Sequence, residues 1–172
     1  IPFRCSVWCG AQRIVIRGAD PRGASQTQAV WAHDKTRTVE WDMESKTCKY
    51  PAKEREHWHH LLDSTVWNEF KFRDDDIVIN AYSKSGTTWV QQIVAQLIWK
   101  GAEHINVSEA SPWLDCRFPA KAERLELVEA QTHRRFIKSH LPVDTLVFSP
   151  KAKYIYIGRD GRDVLWSLYN HH

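Results

Sequence analysis

Between Ala81 and Ile93 the chain reads AYSKSGTTWVQQI, with one lysine, one glycine and four Ser/Thr hydroxyls set between two apolar stretches. A strand that enters a tight glycine turn and then a helix leaves the first backbone N–H groups of that helix without partners, at the positive end of its dipole. Such a turn cradles a phosphate. Gly86 lets the backbone approach the anion, Ser85, Thr87 and Thr88 add hydroxyl donors, and Lys84 adds a point charge. The plain alternative is a helix capped by its own hydroxyls with Lys84 in solvent. The ordinary nucleotide loop, GxxxxGK[ST], places lysine after its second glycine and uses the next hydroxyl for Mg²⁺. Here the lysine comes first, no glycine stands where the motif begins, and no obvious magnesium-binding acid follows a later strand. A nucleotide phosphate bound without metal-assisted phosphoryl transfer is the better inference, and no metal is expected.

Two later segments carry further chemistry. In FIKSHLP, His140 has an imidazole able to accept a proton near neutral pH, and Lys138, two positions earlier on a strand, projects to the same face. In YIGRDGRDVLWSLYN, Arg159 ends an apolar run and Ser167 lies eight residues on. Taken singly, each has a bland reading: His140 as a packed strand end, Arg159 with Asp163 as an i,i+4 pair at a helix start. The histidines His57, His59 and His60 lack metal-ligand spacing and fit an exposed helix face. The basic HRRF stretch has no aromatic alternation, so no nucleic-acid partner is expected.

Positioning these groups requires strands that end together. Ile77 to Tyr82 is a short apolar run after an acidic turn, the pattern of a buried parallel strand. Trp89, Val90, Ile93, Val94, Leu97 and Ile98 recur as one broad helix face, closed by Lys100 and Gly101. KAERLELVEAQ is helix-forming by propensity, RRFIKS and KYIYIG read as strands, and DVLWSLYN as a helix. PAKEREHWHHLLDSTVW reads as helical through Leu62. The order strand, helix, strand, strand, helix predicts an α/β fold with a P-loop-like parallel sheet flanked by helices. Residues 1–45 lack sustained periodicity and form a poorly constrained N-terminal segment, although RIVIR reads as a short strand; residues 46–172 form the domain.

The 172 residues are 42% hydrophobic and 26% charged, the composition of one globular domain and not of a disordered or fibrous chain. The net charge of +3 is too mild to imply nucleic acid but suits a small anion. Four scattered cysteines without a CxxC pair argue against a disulfide framework or zinc site. No apolar run approaches the roughly 18 residues of a membrane span, so a cytoplasmic protein is the expectation. Nothing bears on oligomeric state.

YSKSGTTW resembles the phosphosulfate-binding loop, YPKSGTTW, of sulfotransferases that use 3′-phosphoadenosine 5′-phosphosulfate (PAPS); seven of eight positions match, with Ser83 in place of proline. FIKSHLP resembles the family's K-T/S-H-L-P segment. YIGRDGRDVLWSLYN resembles its second signature, with Gly161 where proline is common. The three motifs occur in the expected order, and the likeness covers residues 47 to about 170. It implies PAPS as co-substrate and transfer of a sulfuryl group to a hydroxyl or amine of a small-molecule acceptor. By resemblance His140 is the general base, Lys84 and Lys138 stabilise the transition state, Ser85, Gly86, Thr87, Thr88 and Trp89 cradle the 5′-phosphosulfate, and Arg159 with Ser167 hold the 3′-phosphate. Trp89 also suits an adenine wall, and Trp113, Phe118 and Phe148 suit either acceptor pocket or core. Members of this family are usually longer, so the fold is expected to be incomplete at the C-terminus and the chain weak or inactive alone. A non-catalytic adenine-nucleotide-binding module and a P-loop kinase or NTPase are the alternatives.

Overall fold

A computed structural model describes residues 4–9, 12–17 and 50–171. The middle of the three parallel strands is β3 (Ile77–Ala81), five buried residues in a row, as a strand covered on both faces requires. It pairs in parallel with β4 (Phe136–Ser139) on one side and β5 (Lys153–Gly158) on the other. Two strands from the first residues, β1 (Arg4–Cys9) and β2 (Gln12–Arg17), extend the sheet antiparallel beyond β5, giving the order β2-β1-β5-β3-β4. The RIVIR stretch is thus a strand; the rest of residues 1–45 lies outside the described residues.

Alternation along β3 divides the core. Ile77, Ile79 and Ala81 pack with Phe136 and Ile157 against Val90, Val94 and Ala95 of α2 (Thr87–Ile98). Val78, with Ile137 and Tyr154, packs on the opposite face against Trp67 of α1 (Val66–Glu69) and Val128 of α4 (Lys121–Glu129). A short α3 (Val107–Ala110) lies between α2 and α4, and α5 (Gly161–Tyr169) follows β5. After α2, Gly101 adopts φ +85° and its N–H bonds back to the Gln96 carbonyl, the left-handed stop expected of it.

Two local expectations fail for identifiable reasons. Residues 51–62 are not helical. Their backbone groups bond elsewhere, Glu54 and Arg55 donating to the Asp144 carbonyl and His57 to the Ser64 hydroxyl, so side-chain and long-range partners replace the i→i−4 ladder. The broad apolar face of α2 is only half used: Val90 and Val94 are buried, whereas Trp89 is 76% and Leu97 75% exposed, because the sheet covers one side of the helix only. Phe148 belongs to the core, stacked on Tyr50 and close to Tyr154.

The N-terminal ends of β3 and β4 are locked by Arg135 and Asp76, both essentially without solvent exposure, in a two-bonded pair at 2.9 and 2.6 Å. A buried pair adds little over an apolar substitute, but removing one partner strands the other charge. Asp76→Ala is therefore expected to cost about 3–5 kcal/mol of stability, measured as a lowered urea midpoint at unchanged slope.

Candidate active site

The three parallel strands all point their C-terminal ends to one edge of the sheet, where open α/β folds bind ligands. The turn Tyr82 to Gly86 leaves β3, His140 follows β4 directly, and Arg159 follows β5. Sequence positions spread over about 75 residues are thereby brought to a single rim.

In the turn, Lys84 and Gly86 both take left-handed backbone angles, φ 62° and 103°. Glycine adopts this freely, but a lysine there carries strain of order 1 kcal/mol and must be held. Arg159 supplies the hold: its Nη1 donates to the Lys84 carbonyl at 2.7 Å, so the ends of β3 and β5 are tied through the very residues predicted to bind phosphate. Arg159 is not paired with Asp163; Asp160 instead caps α5 by accepting from the Arg162 N–H. The N-terminus of α2 has no side-chain cap, and the Thr87 hydroxyl is buried with no hydrogen-bond partner among the described residues. An uncapped helix start beside an orphan hydroxyl is not a self-capped helix; an anion accepting from both would satisfy them. Ser85 is buried, Lys84 half-buried, and Thr88 and Trp89 are exposed.

His140 is half-buried and its ring is fixed on two sides. Nδ1 lies 2.6 Å from the Ala81 carbonyl, the last residue of β3; a carbonyl only accepts, so Nδ1 carries the proton and Nε2 keeps its lone pair. The Trp113 indole meets the ring edge-on at 4.9 Å. Burial pushes the His140 pKa below the ordinary imidazole value, opposed by the Ala81 carbonyl and assisted by the nearby Lys138 ammonium, so the ring stays neutral and able to accept a proton. Lys138, with its Nζ 4.8 Å from the Trp113 ring centre, is held below the usual lysine value by burial first, with Asp115 and Cys116 opposing and Lys84 contributing repulsion. Lys84, Lys138 and His140 thus share one electrostatic neighbourhood.

A cleft of about 370 Å³ opens on the α5 side of the rim, lined by Tyr82, Ser85, Gly158, Arg159, Val164 and Leu165 among others; His140 and Lys138 lie outside it. Ser167 is half-buried on α5, and no hydrogen bond joins it to Arg159. Phe118 is exposed. Sequence patterns gave no signal for the Ala81 carbonyl as the imidazole's partner, for Arg159 as the brace of the turn, or for Asp115, whose carboxylate reaches this corner from a loop. Among the described residues no cluster has the makings of a metal site, and no helix is long and apolar enough to cross a membrane.

A glycine turn, a helix start and three strand ends bring two lysines, an arginine and a histidine to one rim of an α/β domain with a parallel three-strand core. The chain belongs to the sulfotransferase family: the model of the sulfotransferase domain matches residues 74–172. It is 40% identical over 122 residues to a glycolipid sulfotransferase of Mycobacterium tuberculosis, an alignment covering 70% of this chain and 37% of that protein. Against sulfotransferase 2A1 of Homo sapiens the identity is 39% over 111 residues, covering 60% of this chain and 37% of the human one. Retinol dehydratase, solved in complex with retinol and 3′-phosphoadenosine 5′-phosphate (PAP), superposes with a TM-score of 0.51 at 25% identity, over 62% of this chain and 42% of that one. The chain spans little more than a third of the length of these curated relatives.

Proposed function

We propose that the chain carries the nucleotide cradle and the base of an enzyme that transfers a sulfuryl group from PAPS to a hydroxyl or amine of a small-molecule acceptor. The observation that carries this reading is the imidazole of His140, held with Nδ1 on the Ala81 carbonyl and Nε2 free, beside Lys138 and Lys84. Nε2 takes the acceptor's proton as the new S–O or S–N bond forms and the bond from sulfur to the 5′-phosphate oxygen breaks, releasing PAP. Lys84 faces the charge that grows on that leaving oxygen, and Lys138 the sulfuryl oxygens. The end of the glycine turn and the start of α2, Ser85 to Trp89, with the orphan Thr87 hydroxyl, hold the 5′-phosphosulfate; Arg159 keeps the turn closed and, with Ser167, holds the 3′-phosphate. Residues 46–172 are then part of a sulfotransferase domain acting in the cytoplasm. The apolar Trp113 beside His140 favours an aromatic or apolar alcohol, in keeping with relatives named for a glycolipid or solved with retinol. Because the chain spans so little of its relatives' length, residues 1–172 alone bind nucleotide but turn over weakly or not at all.

Thermal unfolding tests this reading. PAP at about one hundred times its Kd stabilises by about 2.7 kcal/mol, a rise in Tm of roughly 5–10 °C, while Mg²⁺ with ATP gives no hydrolysis. A Tm unmoved by millimolar PAP would overturn the nucleotide site, and magnesium-dependent ATP hydrolysis would transfer the turn to a P-loop kinase or NTPase.

A further inference from the structure

The loop between α3 and α4 adds a fragment of parallel ladder to the free edge of β4. Lys138 donates its backbone N–H to the Pro112 carbonyl at 3.0 Å, and Leu114 donates to the Lys138 carbonyl at 3.2 Å. In a regular parallel ladder the next bond would run from the His140 N–H to the Leu114 carbonyl. It does not form. Arg124, itself buried, donates its Nη1 to the Leu114 carbonyl, and the His140 N–H goes instead to the carboxylate of Asp115, Oδ2, at 3.0 Å. The same Oδ2 accepts from the Trp113 indole at 2.9 Å, and Oδ1 lies 3.4 Å from the Trp67 indole N–H.

Asp115 is fully buried, and among the described residues no cation lies within ion-pair distance of it. Burial of a carboxylate on three N–H groups, with Lys138 and Arg124 acting on it only from beyond ion-pair distance, is a poor way to gain stability, since an apolar side chain of the same volume avoids the desolvation cost. What the carboxylate provides is geometry. It takes the place of a ladder carbonyl at the residue where β4 must stop, so the backbone leaves the sheet at His140 and the ring reaches across to Ala81. With the same oxygen it fixes Trp113, the ring against which the imidazole leans.

We propose that Asp115 is a positioning residue: by accepting from the His140 backbone and the Trp113 indole, it holds the imidazole with Nδ1 on the Ala81 carbonyl and Nε2 open to the acceptor. The catalytic meaning rests on the proposed sulfuryl transfer, but the geometric role does not and is read without substrate. In ¹⁵N-imidazole NMR of the folded chain, His140 is expected as a single tautomer protonated at Nδ1. Asp115→Ala should give a mixture of tautomers and shift the Trp113 indole resonance, whereas Asp115→Asn, whose amide oxygen still accepts both bonds, should keep the wild-type pattern. Should the alanine chain fail to fold, Asp115→Leu, which fills the volume without an acceptor, replaces it in the comparison. PAP binding, followed in parallel, should change less than about twofold, because Asp115 does not line the anion turn. In a form of the protein that turns over, displacement of the base by about an ångström corresponds to a kcat loss of the order of 100-fold. A folded alanine or leucine variant that keeps the single Nδ1–H tautomer would overturn the proposal, as would an asparagine variant as disordered in its tautomers as alanine. Absence of PAP binding in the wild type would sink the sulfotransferase reading while leaving the tautomer comparison decisive for Asp115.

Discussion

Replacing His140 by alanine lowers turnover by a factor of about 10²–10⁴, the usual contribution of a positioned base, in a form of the protein long enough to turn over, and leaves PAP affinity within about twofold. The split follows from position. The imidazole follows β4 and bonds to the end of β3, while the anion turn continues from β3 itself and is braced by Arg159 from β5, on the side away from β4. The pH dependence carries the same signature. Protonation removes the base, so turnover falls as the pH drops through the folded-state pKa of His140. Burial and Lys138 place that value below the ordinary imidazole value of about 6.5, so the acid limb lies on the acid side of that pH. The linkage to stability has the same sign: the unfolded chain takes up the proton first, and the stability contributed by the neutral ring is lost as the pH falls below the unfolded value toward the folded one. An alanine variant with turnover within a few-fold of wild type, or an acid limb above the ordinary value, would remove His140 from the role of base.

Lys84→Ala and Arg159→Ala each weaken PAP binding by about 10- to 150-fold, equivalent to the 1.5–3 kcal/mol of a charge-assisted hydrogen bond. The two differ in what else they disturb. Lys84→Ala removes the charge but leaves the turn braced, since the brace is on a backbone carbonyl. Arg159→Ala removes both a proposed phosphate contact and the donor that holds a left-handed non-glycine residue in place. Broadened amide resonances across residues 82–87 are therefore expected for Arg159→Ala only. Arg159→Lys should recover little, because one ammonium cannot reach the Lys84 carbonyl and a phosphate together as a guanidinium fork does. Calorimetric titration of both variants, with unfolding curves as the control, reads the effect; wild-type affinity in either would contradict the assigned cradle.

The elements around the site were legible because each is set locally. The apolar run of β3, the glycine turn, the amphipathic start of α2 and the apolar runs of β4 and β5 all stand where their patterns put them. Residues 51–62 depart from the helix propensity of EREHWHHLL because their N–H groups go to the Asp144 carbonyl, about 90 residues away, and to the side chain of Ser64, neither of which a helical periodicity reports. The apolar face of α2 is wider than the part of it that is buried, since periodicity reports which side chains share a side but not how much of that side the sheet covers. The rim itself was legible only in part. Lys84, Lys138, His140 and Arg159 announce themselves by type and spacing, whereas their supports do not: the Ala81 carbonyl and the Asp115 carboxylate act through contacts spanning 59 and 25 residues.

On the proposed reading this rim binds an adenine nucleotide bearing a 3′-phosphate. Calorimetric titration of PAP into the folded wild-type chain, with adenosine 5′-monophosphate as the comparison, tests it most directly. Saturable one-to-one binding of PAP, at least about tenfold tighter than the nucleotide lacking the 3′-phosphate, as one charge-assisted contact implies, is the predicted result. No heat of binding from a chain that unfolds cooperatively, or equal affinity for the two nucleotides, would contradict it.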